Sequence, residues 1–269
     1  MSQPHHIVVC GGIVPDPLQT LTPVQGPDGP ALKNEMMLPN ILDPWAWHAL
    51  FEAANLAKDN PESKVWLVCL GPKAKLQQVM MGVAQKAPFE LVVCDGSSSG
   101  FADAGETAAH LARTIDSIEG LDKGKLLLFG GWQSASRGTG AVLQMVGELL
   151  GIEEQFQGVD SLTVSVDGSL TLKERVPGGA YLESVCSGLP VVVGWATGNL
   201  PEPPNNPQVG MMNMRGMMPA LQKATPAPLT GEGLTYASVE VPQQMRETRI
   251  IKATPAEEIA KEIVEWLKS

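Results

Sequence analysis

Little in this chain points to catalysis. Histidine occurs four times in 269 residues. His5 and His6 lie at the start, and His48 and His110 fall inside helical patterns with no nucleophile motif beside them. There is no Gly-x-Ser-x-Gly, His-Glu-x-x-His or Walker sequence. Cysteine is also scarce. Cys10, Cys69, Cys94 and Cys186 each sit in or beside an apolar run, without a Cys-x-x-Cys pair or a His/Cys spacing that suits zinc. Reduced thiols acting as small hydrophobes are therefore expected, in a cytoplasmic protein. Positive charge is in deficit: 19 Lys and Arg against 29 Asp and Glu give a net charge of −10. That sign repels phosphate backbones, so no nucleic acid partner is expected. Long apolar runs are missing. Stretches such as 125–129 and 190–193 fall far short of the roughly 20 residues that a membrane span needs, so no direct membrane insertion is expected. Residues 1–6 show neither a basic start nor an apolar core, so no secretory leader is expected.

What is present is a globular balance, with 43% hydrophobic and 18% charged residues. The length suits one large or two small domains. Four short apolar runs, at 7–10, 65–70, 89–94 and 125–129, are closed by Gly11-Gly12, Gly71-Pro72, Asp95-Gly96 and Gly130-Gly131. Runs this short, stopped by glycine or proline, suit buried parallel strands. Apolar residues recur at three and four between them, which predicts helices over 43–58, 73–86, 103–118 and 138–150. Asp43 followed by Pro44 is a helix-start signal. Strand and helix in alternation predict a parallel sheet covered on both faces, with ligands at the carboxyl ends of its strands.

The pattern changes after Gly151. Alternating apolar residues flank Asp167-Gly168, the signature of a hairpin, and 190–193 reads as one more buried strand. From 196 to about 249 no regular structure is expected, because Pro201, Pro203, Pro204 and Pro207 break any continuous helix. Within that stretch, 211–218 holds five methionines in eight residues, an adaptable surface or an interface filler. The chain closes with a capping box, Thr254-Pro255-Ala256-Glu257, and a helix that gathers Ile259, Ile263, Trp266 and Leu267 on one face.

The strongest chemical signal is Phe129-Gly-Gly-Trp-Gln-Ser-Ala-Ser-Arg-Gly-Thr-Gly140, running from a strand into a helix. Glycine lets backbone approach a ligand closely, and helix-start amides favour anions. Ser134, Ser136 and Thr139 add hydroxyls and Arg137 adds a planar fork for phosphate. The segment suits a phosphate-bearing ligand and, equally, an ordinary glycine-rich strand-to-helix turn. Trp45, on its residues alone, suits the core face of a helix.

Several stations in order resemble the beta subunit of electron transfer flavoproteins. They are Val14-Pro15-Asp16, Leu42-Asp43-Pro44-Trp45 with the helix after it, Leu70-Gly71-Pro72, Gly131-Trp132-Gln133 closing on Thr139-Gly140, Gly178-Gly179 with Glu183 and Pro190, and Arg215-Gly216-Met217-Met218. The resemblance covers most of the chain and identifies it as a divergent member. It implies a Rossmann-like, HUP-type α/β sandwich that binds an adenine nucleotide, with an added antiparallel hairpin and an extended C-terminal arm. The domain would span 1–200. The arm and last helix, 201–269, would dock on a partner subunit.

The resemblance further implies a heterodimer with an alpha subunit that holds most of a redox-active FAD. This chain would cover part of that flavin and bury AMP, or a second FAD in electron-bifurcating relatives that use NADH. Electrons would come from a flavin or iron–sulfur dehydrogenase, with no acid–base residue required here. Residue by residue, Cys10, Gly11, Asp43, Leu70 and Gly71 match the nucleotide pocket, and Trp45 matches an aromatic against the flavin. Gly131, Gln133, Thr139 and Gly140 match the phosphate loop, which includes Ser136, Arg137 and Gly138 here. Met214 and Arg215 match the redox-partner docking segment. The family's lysine before Val-x-Asp is absent, and the phosphate loop is about three residues short, so the nucleotide would be held differently. A nucleotide-sensing domain of the universal-stress type shares the sheet and is the other binding-class reading.

Overall fold

The computed structural model of the chain describes residues 4–26, 29–60, 62–97, 101–197, 199–230, 233–234, 248 and 250–268. In chain order the elements of the first half are β1 (His6–Pro15), β2 (Pro23–Gly26), β3 (Gly29–Leu32), β4 (Asn40–Leu42), α1 (Pro44–Asp59), β5 (Lys64–Leu70), α2 (Lys73–Val83), β6 (Glu90–Gly96) and α3 (Ala104–Asp116). They are followed by β7 (Leu126–Gly131), α4 (Val142–Leu149), β8 (Gln155–Val164), β9 (Leu170–Val176), β10 (Ala180–Cys186), β11 (Val191–Trp195), α5 (Pro207–Gln222), β12 (Thr225–Ala227) and α6 (Ala256–Lys268). The chain forms two compact units, residues 1–238 and 239–269. In the second unit, α6 carries Glu257 and Glu258 in its first turn and Lys268 in its last, as the helix dipole favours.

The fold of the first unit is mixed α/β, built on one sheet in the order β10-β9-β8-β11-β7-β1-β5-β6-β12. Its centre is parallel, as the short apolar runs predict. Ile7 and Val9 of β1 enter one hydrophobic cluster, while Val8 and Cys10 enter another on the opposite face. Side chains alternate along a strand, so a continuous apolar run needs cover on both sides. Helices α1, α2 and α5 supply it on the first face, and α3 and α4 on the second. The chain leaves β1 through α1 to β5 on one side and returns through α3 to β7 on the other. The carboxyl ends of β1 and β7 are therefore the point where winding reverses, where open α/β sheets bind ligands.

The predicted Asp167-Gly168 turn joins β8 and β9, with Gly168 at φ 87°. The structure adds a third antiparallel strand, β10, beyond a turn at Gly178-Gly179. Both of these glycines have positive φ, in a three-residue loop, 177–179, closed by the Val176–Ala180 pair. The other difference is α5. A loop is expected over the methionine cluster, yet residues 207–222 are helical. The prolines end before the helix or start it: Asn206 caps it by accepting from the amides of Gln208 and Val209, and Pro207 stands in the first turn. Gly210, Asn213, Met217 and Leu221 form its buried stripe, which packs on α2 and β6. Asn213 donates to the carbonyls of Ala84 and Ala87, both at 2.8 Å, and accepts from the Phe89 amide at 3.3 Å.

Burial also sets a pH response. Both ring nitrogens of His5 are buried with no hydrogen-bond partner among the described residues, and burial pulls its pKa below the usual histidine value. Desolvation lowers His48 and His6 in the same direction. A histidine with a depressed folded pKa binds protons more readily when unfolded. Its stabilising share is complete above about pH 6.5 and is lost as pH falls from there. Burial raises Asp43 and Glu52, which oppose this trend at acid pH. The clean measurement is a difference: urea unfolding of wild type and His5→Phe between pH 7.5 and 5. The variant is expected to lose less stability on acidification, and equal slopes would contradict the assignment.

Candidate functional site

At the reversal point the strand ends open into a cleft of about 800 Å³, its solvent-open mouth included. Its floor is backbone. Cys10 and Gly11 of β1, Leu70 of β5 and Gly131 of β7 all face it. One wall is the loop from β7 to α4, which contributes Gln133, Ser136, Arg137, Thr139 and Gly140. Asp43, at the start of α1, completes the set. Ten of the residues singled out from sequence are thus brought together.

Three others stand outside the lining. Gly71 is needed for packing: a Cβ there would lie 2.7 Å from Ile13 Cγ1. Trp45 lies behind the loop, its Cβ where a side chain on Gly131 would go. Gly138, at φ 67°, supplies the left-handed turn within the loop. Met214 and Arg215 lie on the exposed side of α5, on a helix rather than the expected loop.

Sequence reasoning missed Thr107 and Leu111 of α3 as lining residues. Their apolar spacing marks a buried face, but only the tertiary arrangement shows that this face ends at the cleft.

The loop is held by short-range bonds. Ser134 Oγ accepts from the Arg137 amide at 3.0 Å, and the Ser134 carbonyl accepts from the Gly138 amide at 3.0 Å. Gly140 has φ 66°, and a Cβ on it would meet the Trp132 carbonyl oxygen at 2.7 Å. After this turn α4 begins with no side chain capping it, since Ala141 stands at the cap. Its first amides lack an intrahelical acceptor and carry the positive end of the helix dipole. Arg137 lines the same wall, so a helix start and a guanidinium, two groups with the chemistry to attract an anion, stand together. Leu70, Leu111 and Leu143 add apolar surface suited to a flat heterocycle.

The titratable side chains of Cys10 and Asp43 at the cleft are buried. Burial pushes the Cys10 thiol up to about 12, so it stays protonated. Cys69 and Cys94 are raised for the same reason, and all four cysteines are free and buried. Asp43 is 5% exposed. Burial raises its pKa while backbone amides, that of Ala135 first, pull it down. Among the described residues no three His, Cys, Asp or Glu side chains gather to hold a metal ion. No helix among them is long and apolar enough to cross a membrane.

The family model described as "Electron transfer flavoprotein domain" matches residues 34–227, well over half of the chain. The match takes in α1, the cleft loop, the antiparallel extension and α5. Among curated proteins none matches. By the cleft, the sheet that builds it and the extent of that match, this chain belongs to the electron transfer flavoprotein family.

Proposed function

We propose that the chain is the beta subunit of an electron transfer flavoprotein. With an alpha subunit it carries electrons from a flavin or iron–sulfur dehydrogenase, through a shared FAD, to an acceptor. Members of the family are electron carriers rather than enzymes, which supports reading this chain as one. The observation that supports the finer reading is the arrangement at the reversal point: an uncapped helix start, a glycine-shaped loop and Arg137 in one cleft.

The residues present fit an adenine nucleotide. The α4 amides and Arg137 would take its phosphate, and Leu70 and Leu111 would flank its base. FAD, when bound, supplies the redox chemistry by accepting and passing on electrons. Trp45, half-buried beside Gly131, would be the aromatic that meets the flavin from this side. Arg215, with Met211, Met212, Met214 and Met218 exposed on the same helix, offers a deformable apolar surface for a dehydrogenase. The segment after residue 200 is then the partner-facing part of the chain. The match over 34–227 speaks against the universal-stress reading.

The test is mass spectrometry of ligands released from the complex purified with its alpha partner. AMP with one FAD per heterodimer supports the proposal. Two FAD per heterodimer places a flavin in the cleft, as in a bifurcating complex. A colourless complex that stays so after flavin loading would falsify the reading. Within the supported case, Arg137→Ala is expected to weaken AMP retention about ten-fold, the loss of one charged hydrogen bond, while flavin absorbance persists.

A further inference from the structure

We infer that Asp43 is a positioning residue for the anion-binding loop, and that its place demands a carboxylate rather than an amide. The inference rests on the nucleotide reading above and adds what shapes its loop. One Asp43 oxygen accepts from the Trp45 amide at 3.0 Å and so caps α1. The other accepts from the Ala135 amide at 2.8 Å, 92 residues further along the chain. The backbone amide of Asp43 in turn donates to the Gly12 carbonyl at 2.9 Å. A single residue thus joins the end of β1, the start of α1 and the loop between β7 and α4.

The chemistry of the two partners is the decisive point. Both are backbone N–H groups, so whatever faces them must accept on both sides. A carboxylate does so with two oxygens. An asparagine offers one carbonyl oxygen and would turn an NH₂ against the second N–H. Ala135 stands between Ser134 and Arg137, whose turn is closed by Ser134 Oγ. Fixing the Ala135 amide therefore fixes the turn that brings Arg137 to the cleft. Asp43 itself presents almost no surface, so it acts on a bound anion through the loop. Burial pushes the Asp43 pKa up, and the amides of Ala135, Trp45 and Ala46 counter that push by favouring the charged, doubly accepting form.

Asp43→Asn separates this role from ordinary capping, because asparagine caps helices as well as aspartate does. Two readouts on the purified full-length chain are needed. The first is amide hydrogen exchange of a peptide covering 130–140 without nucleotide. The second is AMP binding by calorimetry. In Asp43→Asn the loop is expected to exchange faster, exchange at the start of α1 to stay unchanged, and AMP to bind about ten-fold more weakly. Ala135→Pro removes the same bond from the other side and leaves the α1 cap untouched. The double variant is expected to be no worse than the poorer single one, because both delete one interaction.

Unchanged loop exchange in Asp43→Asn, or AMP binding at least as tight as wild type, overturns the proposal. It would mean that the position accepts an amide and that the loop does not depend on the Asp43–Ala135 bond. If wild type binds no AMP while Asp43→Asn still loosens the loop, the nucleotide reading fails and the latch stands. Should Asp43→Asn not fold, Ala135→Pro alone supplies both readouts.

Discussion

Gly131→Ala is expected to destabilise the fold by about 2–3 kcal/mol and to empty the cleft of nucleotide, although it adds only one methyl group. The new Cβ would lie 2.4 Å from Trp45 Cβ and 2.5 Å from the Gln133 carbonyl oxygen. Carbon atoms rest at about 3.5–4 Å, so both contacts are deep in repulsion. Neither neighbour can rotate away. Trp45 Cβ is bonded directly to the backbone of the first turn of α1, which Asp43 pins, and the Gln133 oxygen is backbone of the loop itself. Relief requires α1 and the loop to part, which opens the wall that carries Arg137.

Gly138→Ala is the control. At Gly138 a Cβ meets nothing closer than the Ser134 carbonyl oxygen at 4.0 Å, and only its φ of 67° opposes a side chain. That conformational penalty is about 1 kcal/mol. Urea unfolding should therefore rank Gly131→Ala well below Gly138→Ala. Equal midpoints for the two would show that the loop does not lie against α1.

The second large effect is expected at Asn213→Leu, which keeps the branched four-heavy-atom side chain, though with bulkier methyl groups, and removes all its hydrogen bonding. Two carbonyls, of Ala84 and Ala87, and the Phe89 amide lose their partner together. Each buried group left unpaired costs about 1–3 kcal/mol. The loss is capped because α5 can lift and let water in, so about 2–4 kcal/mol is expected overall. Protease cleavage within 200–223 should accelerate, and dehydrogenase docking through the methionine face should weaken. AMP binding should change little, because α5 contributes nothing to the lining of the cleft. If the variant instead lost AMP and kept its protease resistance, the division of labour between cleft and α5 would be wrong.

These two sites also mark how far residue patterns reach. The β7–α4 loop was legible because its glycines must break a strand and open a helix, and both acts are local. Asp43 was legible as a cap for the same reason, since Pro44 follows it and the helix periodicity begins there. Its bond to Ala135 was not, because nothing within a few residues of either position refers to the other. Helix α5 was misread for a related reason. Pro201, Pro203, Pro204 and Pro207 outweigh the propensity of the residues that follow them. Asn206 with Pro207 is nonetheless a start signal, and the buried stripe from Gly210 to Leu221 becomes visible only once α2 and β6 lie beneath it. Strand β10 was missed because its residues are largely exposed and carry no buried face to produce a pattern.

By itself, then, the sequence determined the parallel centre of the sheet, the helices that alternate with its strands and the glycine-rich loop that lines a cleft at the strand ends. Each follows from apolar periodicity or from glycine and proline, whose effects act within one or two turns of chain. Tertiary structure alone decided that α3 walls the cleft, that Asp43 clasps a loop 92 residues away and that the methionine cluster becomes a helix held by one buried asparagine. Those outcomes depend on hydrogen bonds and contacts between distant segments, which take shape only when burial removes water as the competing partner.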